Sequence, residues 1–436
     1  MLNNNFNIRF KKILNDLKRR PEDAAKDLGV TKKTIDNILN GKKNLSFKLI
    51  KKAVSVWPVN FSEFFEIIDD TKNGFKIFKN AEANSTKRKM YRGGEAYYLY
   101  KDSVMSKISS FRPEWIQQLK IVNNSNPNNS NVKFNNGHFL HQFTYFIGPV
   151  NFYYMSNGKK KVAQMNTGDS MYISPYIPHT FTTRKNSEKK LGHILALTYS
   201  DKISTETLNE LNAIGYDLIK RSKLNLKNKI YSFKTVLNYF LKNSSMSIEV
   251  FNKKIGINLK KILSKKEIPD QKVIKKIAGL LGINERDLTP PVIESEVKIQ
   301  KYDKNKKWYY PSNTQKRYLF VELTSLSQIP TSKAFELTIL SDKENSTLFE
   351  VPTHQYIYNI GSEKIFIKFE NKILETFNPG DSIYLKPNLK HKFIGRGKIL
   401  IFRIGGQISS DTLFHISWLS DANLRRLLKD DKQWFN

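Results

Sequence analysis

Gly168-Asp169-Ser170-Met171-Tyr172-Ile173-Ser174-Pro175 returns late in the chain as Gly380-Asp381-Ser382-Ile383-Tyr384-Leu385-Lys386-Pro387, and His179 is answered by His391. A segment copied with its side-chain alternation intact has to fold the same way twice. A helical pattern is copied as well: 44–60, with Ile50-Lys51-Lys52, recurs as 268–284, with Ile274-Lys275-Lys276. Two copies are too few for a solenoid, so the pattern reads as a tandem duplication. Each half is expected to be a helical module followed by a β-rich one, an α+β fold. The expected boundaries are 1–75 helical, 76–205 a first β barrel, 206–295 connecting helices with a shortened second helical module, and 296–436 a second barrel with a C-terminal helix.

In the first helical module Ile13, Leu14 and Leu17 fall at helical spacing, and Pro21 through Gly29 reads as a helix start, a short helix and a turn. Thr31 is a suitable N-cap for a helix carrying Ile35, Ile38 and Leu39 that stops at Gly41. The pattern resembles the helix-turn-helix of phage-repressor-like regulators. The β modules carry short aromatic and β-branched runs, such as Phe143–Ile147, Val150–Tyr154 and Ile365–Phe369, broken by Gly, Pro and Asn. Asn123–Asn131 is a polar loop and 206–245 reads as helical. A Gly, a strand and then Pro175-Tyr176-Ile177-Pro178-His179 resembles the second motif of cupins, so a double-stranded β-helix barrel is expected in each half.

Cysteine is absent, which excludes disulfides, zinc ribbons and thiolate catalysis. The N-terminus lacks the apolar core of a signal peptide and no run approaches about 18 apolar residues, so a soluble, cytoplasmic protein is expected. The formal charge of +33 invites a nucleic-acid reading. The basic residues are not gathered into one tail or stripe, and attraction of a small anionic substrate accounts for them equally well.

Strand alternation puts His138, Leu140 and Gln142 on one face, and the Pro-x-x-Pro-His turn brings His179 beside them. Two imidazoles and a side-chain carbonyl make a facial metal site suited to Fe(II), with a glutamine where a carboxylate is usual. An amide oxygen is neutral, so the metal keeps its full charge until an anionic substrate arrives; the alternative is that Gln142 only hydrogen-bonds. His141 falls on the opposite face and reads as packing. Upstream, Arg92 can fork onto two oxyanion oxygens, Tyr100 at an even spacing on the same strand face can donate from its phenol, and Asn135 can donate from its amide. In the second barrel Gln355 and His391 persist but the place of His138 is held by Val351, so no metal is expected there, while Phe349, Tyr356 and Tyr358 pack toward the first barrel.

A helix-turn-helix, then Arg92-x7-Tyr100, then Asn135-x-x-His138 and a closing Pro178-His179 is similar to the phosphonate-processing non-haem iron cupins. That family comprises 2-hydroxypropylphosphonate epoxidase, 2-hydroxyethylphosphonate dioxygenase and methylphosphonate synthase, and the duplicated layout looks like the latter two. The resemblance implies that Arg92, Tyr100 and Asn135 bind phosphonate. It also implies a helical-domain lysine that reaches the substrate, often from a neighbouring subunit; Lys18 is the nearest match, with Lys11 and Lys12 as alternatives. Where the dioxygenase takes its third ligand this chain has Ile173, and where the epoxidase has Glu it has Gln142. Gln142 with Ile173 follows the pattern of the methylphosphonate synthase members. The implied activity is Fe(II)- and O2-dependent cleavage of 2-hydroxyethylphosphonate to methylphosphonate and bicarbonate by a homo-oligomer, with Gln142 and Ile173 tuning the final hydrogen transfer to carbon.

Two other readings compete. One is dioxygenase chemistry giving hydroxymethylphosphonate and formate. The other is a regulator joining a helix-turn-helix to a cupin sensor. The second helical module shortens Thr31–Gly41 to Asn258–Ser264, which leaves no matched pair of reading helices for half-site recognition, so DNA binding is not expected.

Overall fold

The computed structural model describes residues 6–109, 111–186, 189–199, 203–264, 266–293, 295–341 and 348–429. Residues 1–5, read above for a signal segment, lie outside the described residues. The chain divides into two compact units, one of 6–70 with 408–429 and one of 71–407. Among the described residues no helix is long and apolar enough to cross a membrane.

The first unit holds α1 (Phe6–Asp16), α2 (Pro21–Leu28), α3 (Lys32–Leu39) and α4 (Phe47–Val56), with the helices Ser410–Ser417 and Asp421–Leu428. Gly29 closes α2 in the left-handed conformation (φ +67°), and Thr31 then caps α3 by accepting from the Thr34 N–H. Their apolar faces bury Phe10, Leu14, Leu28, Ile35, Ile50 and Trp57 in one core, and the Trp57 indole donates to Asp27 at 2.9 Å. Lys18 stands in this unit, in the turn after α1 with φ +54°.

In the second unit the first β module comprises β1 (Phe75–Phe78), β2 (Arg88–Arg92), β3 (Glu95–Asp102), β4 (Phe111–Gln118), β5 (Ile121–Val122), β6 (His141–Ile147), β7 (Val150–Ser156), β8 (Lys159–Met165), β9 (Ser170–Ile173), β10 (His179–Arg184) and β11 (His193–Tyr199). Helices spanning 205–281 follow, with their own core of Phe233, Leu237, Phe251, Leu259 and Ile277. The second β module comprises β12 (Val297–Gln300), β13 (Lys307–Pro311), β14 (Lys316–Glu322), β15 (Lys333–Ser341), β16 (His354–Asn359), β17 (Ile365–Phe369), β18 (Leu374–Phe377), β19 (Ser382–Leu385) and β20 (His391–Ile404).

Sheet order shows how these strands close. One sheet runs β12-β9-β6-β11-β4-β3-β2 and faces a smaller one, β5-β10-β7-β8; the other module runs β1-β19-β16-β20-β15-β14-β13, with β17 and β18 joined through β20. The leading strand of each module therefore pairs in the other: β1 lies on β19 and β12 on β9. The boundaries expected at 75 and 295 fall beside these crossing strands. The repeated Gly-Asp-Ser explains the crossing. Asp169 accepts from Lys301 Nζ at 2.7 Å and from the Tyr302 N–H at 3.0 Å, just after β12. Asp381 accepts from Lys79 Nζ at 3.3 Å and the Asn80 N–H at 2.8 Å, just after β1. Each aspartate is nearly buried, where a carboxylate needs charge-assisted partners to persist.

Between the modules lies a core of Phe143, Tyr145, Leu197, Tyr199, Tyr356, Tyr358 and Phe402. Tyr356 and Tyr358 thus pack toward the first module as expected. Phe349 does not: it belongs to the interior of the second, stacked on Tyr310 and tilted against His391.

Candidate metal centre and substrate wall

Two loops are stitched together before any side chain meets. The Asn135 carbonyl oxygen Oδ1 accepts from the His179 N–H (2.8 Å) and the Gly137 N–H (3.0 Å). The Asn135 N–H donates to the His179 carbonyl at 3.1 Å, and the Tyr176 N–H to the His138 carbonyl at 2.8 Å. Gly137 has φ +76°, and a Cβ there would lie 2.5 Å from the Tyr176 carbonyl carbon. Only glycine allows this approach. The expectation that His138 sits in a strand is corrected: the strand begins at His141, and His138 lies in the loop before it, ahead of the bend at Phe139 and Leu140. The left-handed Gly137 and a turn through Leu140 bring it back over Gln142.

Both imidazoles are held the same way. His138 Nδ1 donates to the Leu140 carbonyl and His179 Nδ1 to the Ile177 carbonyl, each at 2.8 Å. That fixes the tautomer and leaves both Nε2 atoms as acceptors. The rings stand 5.2 Å apart, edge to face. Burial drives His179 down to about 3, so it is neutral and able to ligate. Gln142, 3% exposed, donates from Nε2 to Thr144 Oγ1 at 2.8 Å, which turns Oε1 toward His138 Nε2 at 2.9 Å. Two acceptors then face each other, an arrangement that a cation between them would satisfy. The donor set fits Fe(II). Ile173 pairs directly with Gln142 across β9 and β6 and is fully buried, so its side chain offers no oxygen ligand there. Among the described residues there is no cluster of three or more His, Cys, Asp or Glu suited to a metal.

Beside this corner runs a wall of aromatic and basic groups. The Asn135 amide nitrogen lies 3.3 Å from His179 Nε2, so its N–H points into the same space. Arg92 donates to Thr180 Oγ1 (2.9 Å) and the Lys133 carbonyl (3.1 Å), with its guanidinium 4.9 Å from the Tyr98 ring centre. Arg92 and Tyr100 do not share a strand. Gly93 (φ +58°) and Gly94 (φ +82°) form the tight turn between β2 and β3, so the two residues stand on opposite arms of a hairpin. Burial, then the nearby Glu114 charge, pushes the Tyr100 phenol up to about 12, which keeps its proton available for donation. Tyr98, which sequence reasoning missed, meets Tyr100 edge to face at 5.9 Å, shares a hydrogen bond with Thr180 (2.7 Å) and accepts from the Phe181 N–H (3.0 Å). Its signal was available: Tyr98 and Tyr100 have the same strand parity. Thr144, two residues from Gln142, was detectable on the same ground.

His141 behaves as expected: it bonds to the Tyr172 hydroxyl at 2.6 Å and stacks on Tyr172 and Tyr199, away from the metal corner. The second module keeps the frame but not the centre. His391 Nδ1 donates to the Leu389 carbonyl at 2.8 Å, and Asn388 (φ +61°) bonds to the Val351 carbonyl as Tyr176 (φ +63°) does to that of His138. Across from Gln355 in register stands Arg403, where the first module has Thr198 across from Gln142. Arg403 Nε donates to Gln355 Oε1 at 3.3 Å. The amide oxygen already faces a fixed cation there, and the phenyl ring of Phe349 covers His391.

No protein-family model matches the chain. It is 43% identical to methylphosphonate synthase of Nitrosopumilus maritimus (strain SCM1), covering 98% of this chain and 94% of that protein. It superposes on the HEPD of Streptomyces albus, solved with 2-hydroxyethylphosphonate and Fe(II) bound, with a TM-score of 0.92 and 28% identity over 99% of this chain and 98% of the other. A variant of 2-hydroxyethylphosphonate dioxygenase matches at a TM-score of 0.73 and 17% identity, covering 96% of this chain and 100% of that one, a likeness of fold alone.

Proposed function

We propose a residue-level function from one premise: the chain belongs to the methylphosphonate synthase family. It is a non-haem iron oxygenase that cleaves the C–C bond of 2-hydroxyethylphosphonate, using O2, to methylphosphonate and bicarbonate. The hydroxyl-bearing carbon leaves at the oxidation level of carbonate, the phosphorus-bearing carbon gains hydrogen, and the electrons released balance the full reduction of O2. No external reductant is required.

In our reading His138, Gln142 and His179 hold Fe(II), which when bound supplies activation of dioxygen beside the chelated substrate. The observation that carries this is the Gln142 amide: Thr144 turns its oxygen onto the lone pair of His138, while Ile173 fills the place from which a carboxylate would act. A neutral amide leaves the cation's charge to be met by the phosphonate, which favours substrate binding before dioxygen. Arg92 supplies the charged donors for the phosphonate, and the phenol of Tyr100 and amide of Asn135 supply neutral ones. Buried Ile173 and the aromatic wall would shield the substrate from bulk water. Lys18, from the helical unit, is the lysine we assign to the substrate, in a homo-oligomer. The chain as a whole reads as two helical modules and two cupin barrels in tandem, of which the second is structural; the paired motifs and the matching frames around His179 and His391 support this.

The test is phosphorus NMR of the Fe(II)-loaded protein incubated in air with 2-hydroxyethylphosphonate. Methylphosphonate is expected. Hydroxymethylphosphonate would favour the dioxygenase reading, and absence of turnover would contradict both.

A further inference from the structure

The two modules offer an internal control, because matching register positions carry different chemistry. Counting from the glutamines, Gln142 pairs Thr198 and Gln355 pairs Arg403; two residues back along those partner strands, Ala196 pairs Glu114 and Ile401 pairs Phe335. Continuing outward, Asp102 pairs Glu114 as Glu322 pairs Phe335. Tyr100 pairs Arg88 as Phe320 pairs Trp308. Three positions therefore correspond: Tyr100 with Phe320, Arg88 with Trp308 and Glu114 with Phe335.

In the second module these three are an aromatic plug. Trp308 stacks on Phe320 at 5.7 Å and meets Phe335 edge-on at 5.9 Å. In the first module the same places hold an ion pair against a phenol. The Arg88 guanidinium lies 5.3 Å from the Tyr100 ring centre, donating to Glu114 Oε1 at 2.7 Å and to Asp102 Oδ1 at 2.5 Å. The Arg88 side chain is 45% exposed, and an ion pair this open to solvent contributes little to stability by itself. Glu114 pairs in register with Ala196, two residues along β11 from the Thr198 that lies across from Gln142, so it shares that face of the sheet, and burial pushes its carboxyl up.

We infer that Glu114 is a positioning residue for the phosphonate clamp, fixing Arg88 over the face of Tyr100 so that the phenol donates along one direction into the site. Tyr100 is then held on one face by Arg88 and along its edge by Tyr98, which is itself anchored to Thr180 and the Phe181 N–H. Asp102 on the exposed side holds the guanidinium's other arm. The inference rests on the assignment of Tyr100 to the substrate.

A double-mutant cycle in the full-length, Fe(II)-loaded protein tests it, with Glu114→Ala, Tyr100→Phe and the pair. Misdirecting one donor is expected to raise KM for 2-hydroxyethylphosphonate roughly tenfold to a hundredfold in Glu114→Ala, with kcat falling less. Glu114→Gln, which keeps the volume and an acceptor oxygen for Arg88, is expected to recover most of that loss. In the Tyr100→Phe background, Glu114→Ala is expected to cost nothing further. Anaerobic Fe(II) affinity and melting temperature, measured on each variant, separate this from general damage and are expected to hold for Glu114→Gln. If Tyr100→Phe raises KM but the Glu114→Ala cost persists undiminished beside it, the inference fails alone. If Tyr100→Phe leaves KM unmoved, the clamp reading fails and takes the inference with it.

Discussion

Replacing Thr144 by Val removes one hydroxyl and nothing else of the metal corner, and its effect can be worked from geometry. Thr144 Oγ1 is the acceptor that turns the Gln142 amide, at 2.8 Å in a fully buried position. Without it Gln142 Nε2 has no partner on that side, and a buried unpaired donor costs about 1–3 kcal/mol. Rotating the amide by half a turn relieves this, since the NH2 then donates to the lone pair of His138 Nε2, 2.9 Å from the present oxygen. The flipped amide presents nitrogen where a metal needs oxygen. Holding the ligating orientation in Thr144→Val therefore costs about 1–3 kcal/mol, which is about a tenfold to hundredfold loss of Fe(II) affinity. The metal-free protein, free to flip, should melt close to the parent. Thr144→Ser retains the acceptor and should stay within a few-fold of parent affinity. Anaerobic Fe(II) titration with a competing chelator, beside melting curves of the metal-free forms, measures both quantities. Unchanged affinity in Thr144→Val would show that Gln142 is not oriented by Thr144, or is not a ligand.

Other outcomes follow from the same structure. Burial drives His179 to about 3 and His141, His354 and His391 each to about 4, well below the ordinary histidine value of 6.5. The unfolded chain therefore binds more protons in that interval, so stability is fully present above about pH 6.5 and is lost as pH falls toward 4. Melting temperature against pH on the metal-free protein should drop across that window, and His354→Gln should flatten part of the slope; a flat profile would refute the buried, neutral assignment. Gly137→Ala should abolish Fe(II) binding and activity while leaving most of the fold, because its methyl collides with the Tyr176 backbone at a left-handed position. Circular dichroism with iron titration checks this, and retained iron affinity would mean the loop stitch is dispensable.

Much of this was readable in the residues. Strand periodicity located Phe143–Ile147 and Ile365–Phe369, Thr31 capped its helix, and the paired motifs placed His179 against His391. Readings that depended on bends went astray. Alternation places His138 in a strand, but Gly137 breaks the period, and an even spacing puts Arg92 and Tyr100 on one strand across two glycines that turn the chain. The crossing of β1 and β12 was illegible because it joins segments far apart in sequence through Asp381 and Asp169, and nothing local announces such a pairing. Glu114 was overlooked for a related reason. Its strand contains Pro113, which weakens a strand reading, and its significance emerges only when three register positions are compared across the modules.

The central claim is that an amide oxygen completes the iron site in the first module and only there. Iron-edge anomalous diffraction from substrate-free crystals loaded anaerobically with Fe(II) addresses it directly. One peak per chain is expected, within bonding distance of His138 Nε2, His179 Nε2 and Gln142 Oε1, with none between Gln355 and His391. A peak lacking Gln142, or a second peak beside Arg403, would contradict it.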